Sequence, residues 1–319
     1  MPTPLPPITE LVPGLRGVAF FLCARKEERP TRTGSTYLLL QLQDRTGRIT
    51  GKVFEQADRL KEAFAEGDYV KVDAAVEIYD GRRELIVSQI RRVDEARDRD
   101  AGFREEDCVP VSPRPADEMW AELQSRIAGV GHPGVRALLA RIVADHGDRL
   151  RVWPAAMLVH HAYRGGLLEH VLQVPRVADA LGEIYGADRD LLLAGAVLHD
   201  IGKLQEIEYV RAPGYTLEGS LVGHIPLGLM MVRAAAAGLP SLDARTRTEI
   251  EHLVASHHGA LEFGSPVVPM SVEALVLAAA DDLDAKLHQV RRAIADDDGD
   301  GEFTAYQKRL GRSWLKPAR

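Results

Sequence analysis

Two kinds of hydrophobic pattern divide the chain. Up to about residue 93 the apolar residues form short β-prone runs separated by turn residues, whereas beyond residue 117 they recur every three to four positions. The first pattern predicts a short helix at 56–65 and five strands, at 17–24, 37–43, 48–54, 69–79 and 84–90. Turn sequences stand at 44–47 and 80–81. Five strands with a helix between the third and the fourth are typical of an OB-fold barrel, and another small β-barrel is the alternative.

The second pattern predicts an all-α bundle. Its helices are expected at 119–127, 135–146, 167–185, 191–199, 221–237, 245–258 and 271–294. Between the two regions, ARDRDAGFREEDCVPVSPRP is charged, contains proline and lacks an apolar period, as linkers do. We therefore predict a multidomain α and β protein with an OB-fold domain at 14–95, a linker at 96–116, a helical domain at 117–295 and a C-terminal tail at 296–319.

Composition narrows the class of protein. The 319 residues are 45% hydrophobic and 27% charged, which is typical of a soluble globular chain. The start MPTPLPPITE does not resemble a signal peptide, the apolar runs are too short to span a membrane, and two cysteines cannot form a disulfide framework. A cytoplasmic protein is expected. The net charge is −7, but residues 14–95 carry +1, so a phosphate-rich partner is expected to meet that region.

Charged and imidazole side chains interrupt several apolar helices. His199 and Asp200 close the run LLLAGAVL, which is apolar on every side, and Asp281 shares a helical face with apolar residues. His170 lies on another amphipathic helix. Buried carboxylates are costly unless they are paired or bind a metal, so these residues predict a divalent-cation site. Mixed imidazole and carboxylate ligation suits Mn, Fe, Co, Ni or Zn better than Ca.

Three further histidines extend this set. His224 opens one helix, and His257 and His258 end another just before a glycine, so a second metal bridged by Asp200 is predicted. A lone histidine on an apolar helix is more often a hydrogen-bonded core residue, but the ordered series favours metal binding. Lys203 is interpreted as a phosphate contact, with a solvated lysine as the alternative. His160 and His161 are expected to line the site.

The barrel offers candidate contacts to nucleic acid. Tyr37, Phe54 and Tyr79 are predicted to stack bases, although aromatic residues on strands are often core. The candidate contacts to backbone phosphates are the basic residues Arg25, Lys26, Arg29, Arg32, Arg82 and Arg83.

The order H…HD…D, with HDIGK at 199–203, resembles the HD superfamily of metal-dependent phosphohydrolases. HHAYRGGLLEH at 160–170, LVGHI at 221–225, SHHG at 256–259, GSP at 264–266 and ADDLDAK at 280–286 resemble, more specifically, the bacterial YhaM-like 3′–5′ exoribonucleases. The resemblance runs from about residue 15 to 310. Two departures stand out. Arg164, assigned to the substrate pocket with His161, replaces an expected smaller residue, and Pro175 interrupts a helix.

The resemblance implies an OB-fold followed by an HD domain and assigns two sets of metal ligands. The core set is His170, His199, Asp200 and Asp281, and the second-metal set is His224, His257 and His258. Asp200 and Lys203 are expected to be catalytic. The implied cofactors are two divalent ions, with Mn²⁺ first and Fe, Co, Ni, Mg or Zn as alternatives.

The expected activity is removal of nucleotides from the 3′ end of single-stranded RNA, or of DNA, with release of nucleoside 5′-monophosphates. A homo-oligomer without membrane contact is expected. Two alternatives stay open: a phosphohydrolase that acts on a small nucleotide, and a non-catalytic accessory factor that binds nucleic acid.

Overall fold

The chain forms two compact units, the first ending at Val111 and the second beginning at Ser112. A computed structural model describes residues 3–31, 34–109, 111–156, 161, 163–209, 213–295, 297 and 299–318. Each unit has its own hydrophobic core.

The first unit contains a closed five-stranded barrel. Its elements are β1 (Arg16–Pro30), β2 (Thr36–Gln43), β3 (Arg48–Val53), α1 (Ala57–Leu60), β4 (Tyr69–Tyr79) and β5 (Arg82–Arg92). The strands are ordered β1-β2-β3-β5-β4, and only the β3–β5 pair among them is parallel. The predicted OB-fold barrel is confirmed.

Side chains at every second strand position fill the core of this barrel. On β2, Leu38, Leu40 and Leu42 all point inward and are almost fully buried, as the two-residue period of a strand requires. β1 extends six residues beyond its predicted end because its charged second half still pairs with β2, after a bulge between Cys23 and Arg25.

The predicted linker differs from the structure over its first part. α2 (Glu95–Asp98) and α3 (Glu105–Cys108) form there, and Phe103 and Cys108 are buried against Leu22 and Tyr69 of the barrel. The surrounding charged residues leave no apolar period in this part of the sequence, so no packed element was predicted there. Up to Val109, this segment is therefore part of the first unit's core.

The second unit is a helical bundle. Its helices are α4 (Ala116–Ala128), α5 (Pro133–Leu150), α6 (Gly166–Tyr185), α7 (Arg189–Leu198), α8 (Lys203–Glu206), α9 (Leu217–Val222), α10 (His224–Ala236), α11 (Ala244–Ser256) and α12 (Val272–Ala295). A two-stranded hairpin of β6 (Ile207–Tyr209) and β7 (Pro213–Tyr215) lies between α8 and α9. The largest core cluster combines residues from α4, α5, α6, α7, α10 and α11.

Two helices differ from expectation in instructive ways. The single helix predicted over 221–237 is divided at Gly223, whose φ of 79° is left-handed and ends α9 just before α10 begins. Pro175, by contrast, lies buried inside a continuous α6.

In the part of the chain that the structure describes, no helix is both long and apolar enough to cross a bilayer.

The tail predicted over 296–319 contains local pairing. Phe303 bridges Leu315, and the Lys316 ammonium lies 2.9 Å from a carboxylate oxygen of Asp297. This pairing folds the described part of the tail back on itself.

Candidate metal centre

Three helices bring one group of predicted ligands together. His170 lies on α6, His199 directly follows α7, and Asp281 lies on α12. Nε2 of His170 is 3.1 Å from Nε2 of His199 and 3.1 Å from Oδ1 of Asp281. Both histidine side chains are fully buried. Residues separated by more than 100 positions in the sequence thus share one buried polar site.

Asp200 lies beside this group and is almost fully buried. Its Oδ2 is 3.5 Å from Nε2 of His170 and 3.4 Å from Nε2 of His199. The same oxygen accepts a 2.6 Å hydrogen bond from the Lys203 ammonium. Lys203 is itself buried, so its charge is directed at Asp200 and is not solvated at a helix end.

The second oxygen of Asp200 faces another group of histidines. Oδ1 is 3.5 Å from Nε2 of His224 and 3.8 Å from Nε2 of His257. His224, His257 and His258 each offer a ring nitrogen, and these nitrogens lie within 4.8 Å of one another. Asp200 therefore stands between the two groups with one oxygen toward each.

Three atoms at the second group test whether a metal fits. Three buried atoms have no hydrogen-bond partner among the described residues: Asp200 Oδ1, His224 Nε2 and His257 Nε2. A buried polar atom without a partner costs about 1–3 kcal/mol, and three such atoms converge here. Imidazole nitrogens and a carboxylate oxygen are a donor set for divalent transition metals, so the residues fit such an ion.

Backbone carbonyls fix three of the histidine rings. His199 Nδ1 lies 3.0 Å from the carbonyl of Ala196, and His257 Nδ1 lies 2.8 Å from that of Val254. His258 Nδ1 is 2.7 Å from the carbonyl of a residue five positions later. A carbonyl can only accept, so Nδ1 carries the proton and Nε2 keeps a lone pair for a metal.

Carboxylates fix the other two rings, and sequence reasoning missed both. Asp284 Oδ2 lies 2.8 Å from Nδ1 of His170, and Glu206 Oε1 lies 3.2 Å from Nδ1 of His224. Asp284 follows Asp281 by three positions, so its place on the same helical face was a usable signal. Glu206 gave no such signal, because its partner is 18 positions away across the hairpin.

The charges of the centre depend on one another. Burial disfavours the charged form of His170, but the carboxylates of Asp281 and Asp284 outweigh it and raise its pKa to about 10. Burial also opposes ionisation of Asp200, yet the Lys203 ammonium and neighbouring imidazoles hold its pKa well below the usual range. Burial lowers the pKa of His257, which favours its neutral, ligating form.

A close backbone approach holds His224 in place. A Cβ at Gly202, two residues after Asp200, would lie 1.9 Å from the carbonyl oxygen of His224 and 2.6 Å from the amide nitrogen of Gly228. Only a residue without a side chain permits this packing of α10 against the turn after α7.

The predicted pocket residues have different surroundings. His161 is buried and its Nε2 lies 3.3 Å from Oδ2 of Asp284, so it adjoins the centre through that carboxylate. Arg164 has an exposed side chain, and its carbonyl accepts a hydrogen bond from the Ser112 amide. His160 lies outside the described residues.

The aromatic candidates of the barrel are accessible. The rings of Tyr37 and Phe54 stack with centroids 5.3 Å apart, and Phe54 is half exposed. Tyr79 is 62% exposed and carries the Lys52 ammonium 4.1 Å from its ring centroid. These rings lie at the barrel surface and not in its core, which leaves them available for stacking.

The basic candidates divide into two classes. Arg25 and Arg82 are exposed or partly exposed at the surface, although Arg25 pairs with Glu27 at 2.6 Å. Lys26 bonds the carbonyls of Lys61 and Phe64. Arg29 also pairs with Glu27. Arg83 donates hydrogen bonds to the carbonyls of Ile8, Thr9 and Leu11. Arg32 lies outside the described residues. Lys26 and Arg83 thus have structural partners that compete with phosphate.

Comparison with known proteins identifies both units. The HD domain family matches residues 167–286, and the family of the OB-fold nucleic acid binding domain matches residues 22–93. The 3′–5′ exoribonuclease YhaM of Bacillus subtilis (strain 168) is 34% identical over 286 residues, which covers 89% of each chain. That of Geobacillus sp. (strain WCH70) is also 34% identical, over 89% of this chain and 86% of its own.

Proposed function

This chain belongs to the family of YhaM 3′–5′ exoribonucleases, and on that premise we propose that it shortens single-stranded RNA, and DNA as a second substrate, releasing nucleoside 5′-monophosphates. Its HD domain makes it a metal-dependent hydrolase. The observation that carries the proposal is the convergence of three unpartnered buried ligand atoms, among the described residues, beside a second His–His–Asp group.

Two ions, with Mn²⁺ as the first candidate, would be held by the two groups. His170, His199 and Asp281 would hold one ion. The other ion would be held by His224, His257 and His258. Asp200 would bridge them, because each of its oxygens faces a different group. Divalent ions there would supply Lewis acidity to the scissile phosphate and lower the pKa of the attacking water.

The protein's own residues complete the chemistry. Asp200 and Lys203 form a buried ion pair at 2.6 Å, so the ammonium lies at the edge of the ligand cluster. From there it can contribute positive charge to the phosphate oxygens as negative charge develops on them. His161 and Arg164 are proposed as pocket residues, with His161 acting through Asp284.

The barrel would hold the RNA strand. The stacked pair of Tyr37 and Phe54 offers a face to a nucleobase, and Tyr79 offers a second exposed ring. Stacking tolerates every base, so sequence preference should be slight. Arg25 and Arg82, both exposed, are the proposed phosphate contacts of the barrel.

Incubation with 5′-labelled single-stranded RNA and Mn²⁺, with an EDTA control, tests the proposal. A ladder that shortens from the 3′ end, mononucleotide products and complete inhibition by EDTA are expected. RNA that stays intact with each of several metals would contradict it and direct the search to small nucleotides.

A homo-oligomeric state and a cytoplasmic location stay predictions. Sedimentation of the purified chain, with and without Mn²⁺, tests the first. A single species at the monomer mass of 35.0 kDa would contradict it.

A further inference from the structure

The five histidines of the centre fall into two classes by the partner of Nδ1. Three rings, those of His199, His257 and His258, face backbone carbonyls. The other two, His170 and His224, face carboxylates. A carboxylate adds a full negative charge to the hydrogen bond, which a carbonyl does not, and so makes the opposite nitrogen a stronger ligand.

Asp284 is built into the structure for this contact. It lies on α12, one helical turn after Asp281, and its side chain is about nine-tenths buried. Its Oδ2 is 2.8 Å from His170 Nδ1 and 3.3 Å from His161 Nε2, so two imidazoles hold it in one orientation.

Glu206 is held equally well at the other group. Its Oε1 lies 3.0 Å from the backbone nitrogen of His224 and 3.2 Å from Nδ1 of the same residue. Its own carbonyl accepts a hydrogen bond from the Thr216 amide, and Gly219 packs so closely that a Cβ there would lie 2.1 Å from that carbonyl oxygen. The carboxylate thus fixes both the start of α10 and the ring that α10 presents.

We propose that Asp284 and Glu206 are positioning residues that each set the affinity of a different metal position, Asp284 through His170 and Glu206 through His224. The inference rests on the proposed two-metal centre. The separation follows from the geometry, because each carboxylate lies against a ring of a different ligand group and Asp200 turns one oxygen toward each group. Loss of an outer carboxylate typically costs about 10- to 100-fold in metal affinity.

Charge-neutral variants of similar size isolate the effect. In Asp284→Asn and Glu206→Gln the amide oxygen can still accept the Nδ1 proton, so the tautomer is retained and only the negative charge is lost. Asp282→Asn and Glu208→Gln are matched controls, because they make the same change at exposed neighbouring positions. Metal-free protein is dialysed against increasing Mn²⁺, and bound manganese is counted by elemental analysis.

Each single variant should lose about 10- to 100-fold in affinity for one ion and keep the other. The double variant should lose affinity for both ions, because the two carboxylates act on different metal positions. The controls should match the wild type. If an amide variant does not fold by circular dichroism, the alanine variant replaces it under the same criteria.

Two results would overturn the inference: single variants that bind like their controls, or a double variant that weakens only one ion. Either leaves the proposed function intact, provided that the wild type binds two ions and degrades RNA. A wild type that binds no Mn²⁺ and leaves RNA intact would instead refute the proposed function itself.

Discussion

Each unit contains a buried aspartate, Asp98 in the barrel unit and Asp200 in the helical unit. The two differ in where the side chains that surround the carboxylate come from. Asp98 in the barrel unit accepts hydrogen bonds at 2.6 and 2.7 Å from Arg91, and the Lys71 ammonium lies 3.3 Å away. Both partners come from the adjacent strands β4 and β5. Asp200 in the helical unit faces residues on α6, α8 and α10 and the residues that directly follow α7 and α11. Its Oδ1 has no hydrogen-bond partner in the described part of the chain.

This difference separates structural from functional burial of charge. The carboxylate of Asp98 is neutralised by the fold itself, so it needs nothing further. The centre around Asp200 collects ligand atoms that the fold leaves unpaired, and each of them is costly unless an ion completes it. Buried charge therefore points to a ligand only where the protein fails to pair it.

Asp200→Ala should produce the largest effect. Removing the residue whose two oxygens face the two ligand groups should reduce RNA degradation to the level of the EDTA control, because the bridge between the two positions is lost. RNA binding by the barrel should stay nearly unchanged. Gel assays for degradation and for binding in EDTA measure both. A variant that still degrades RNA would show that the metal assignment is wrong.

Metal should stabilise the helical unit and not the barrel. An ion whose free concentration is 100 times its Kd adds about 2.7 kcal/mol to the free energy of unfolding of the unit that binds it. Hydrogen exchange should therefore be slower with Mn²⁺ than with EDTA around α6, α7, α10, α11 and α12, while β1 to β5 exchange at the same rate in both. Equal protection of both units would contradict this separation.

Asp98→Asn should destabilise the barrel unit by about 2 kcal/mol at pH 7, because it removes charge-assisted bonds from a buried group. Exchange rates of the barrel amides in mild denaturant measure this loss. Slower RNA degradation at saturating RNA would argue against a purely structural role.

The effect of Asp98→Asn should shrink in acid. The hydrogen bonds from Arg91 hold the pKa of Asp98 well below its usual range. Its contribution is therefore present above about pH 4, the unfolded value, and is lost as the pH falls toward the folded value. A difference between variant and wild type that stays constant from pH 7 to pH 3 would contradict this account.

Phe54→Ala should have the smallest effect. One face of the ring is already covered by Tyr37, so its loss should weaken RNA binding by about 1 kcal/mol, or roughly fivefold in Kd. Fluorescence anisotropy with labelled RNA in EDTA measures this change. Tyr185→Ala, which removes an exposed ring from the helical unit, is the control and should bind like the wild type.

The sequence predicted most elements because their signals are local. Strand alternation, the Asp80-Gly81 turn and the apolar period of α6 each lie within a few residues of the element that they specify. The break at Gly223 was missed because the apolar period continues across it. Phe103 and Cys108 were missed because two apolar residues among many charges form no pattern.

The first ligand group could be predicted because buried His and Asp conflict with their apolar surroundings. The partners of the ligands could not, with the partial exception of Asp284. Glu206 meets His224 only because a hairpin returns the chain, and the carbonyls that hold His199 and His257 belong to every helical residue alike. Such contacts depend on the folded backbone and not on residue type.

Gly202 shows that intolerance to mutation need not mark a reactive group. It contributes no atom to chemistry, yet any side chain there would push away the carbonyl of His224 and with it the ring on α10. In a library of all single substitutions, position 202 should tolerate change as poorly as the ligands themselves. Inherited variants at this position would be misread as harmless by any scheme that scores only side chains touching substrate or metal.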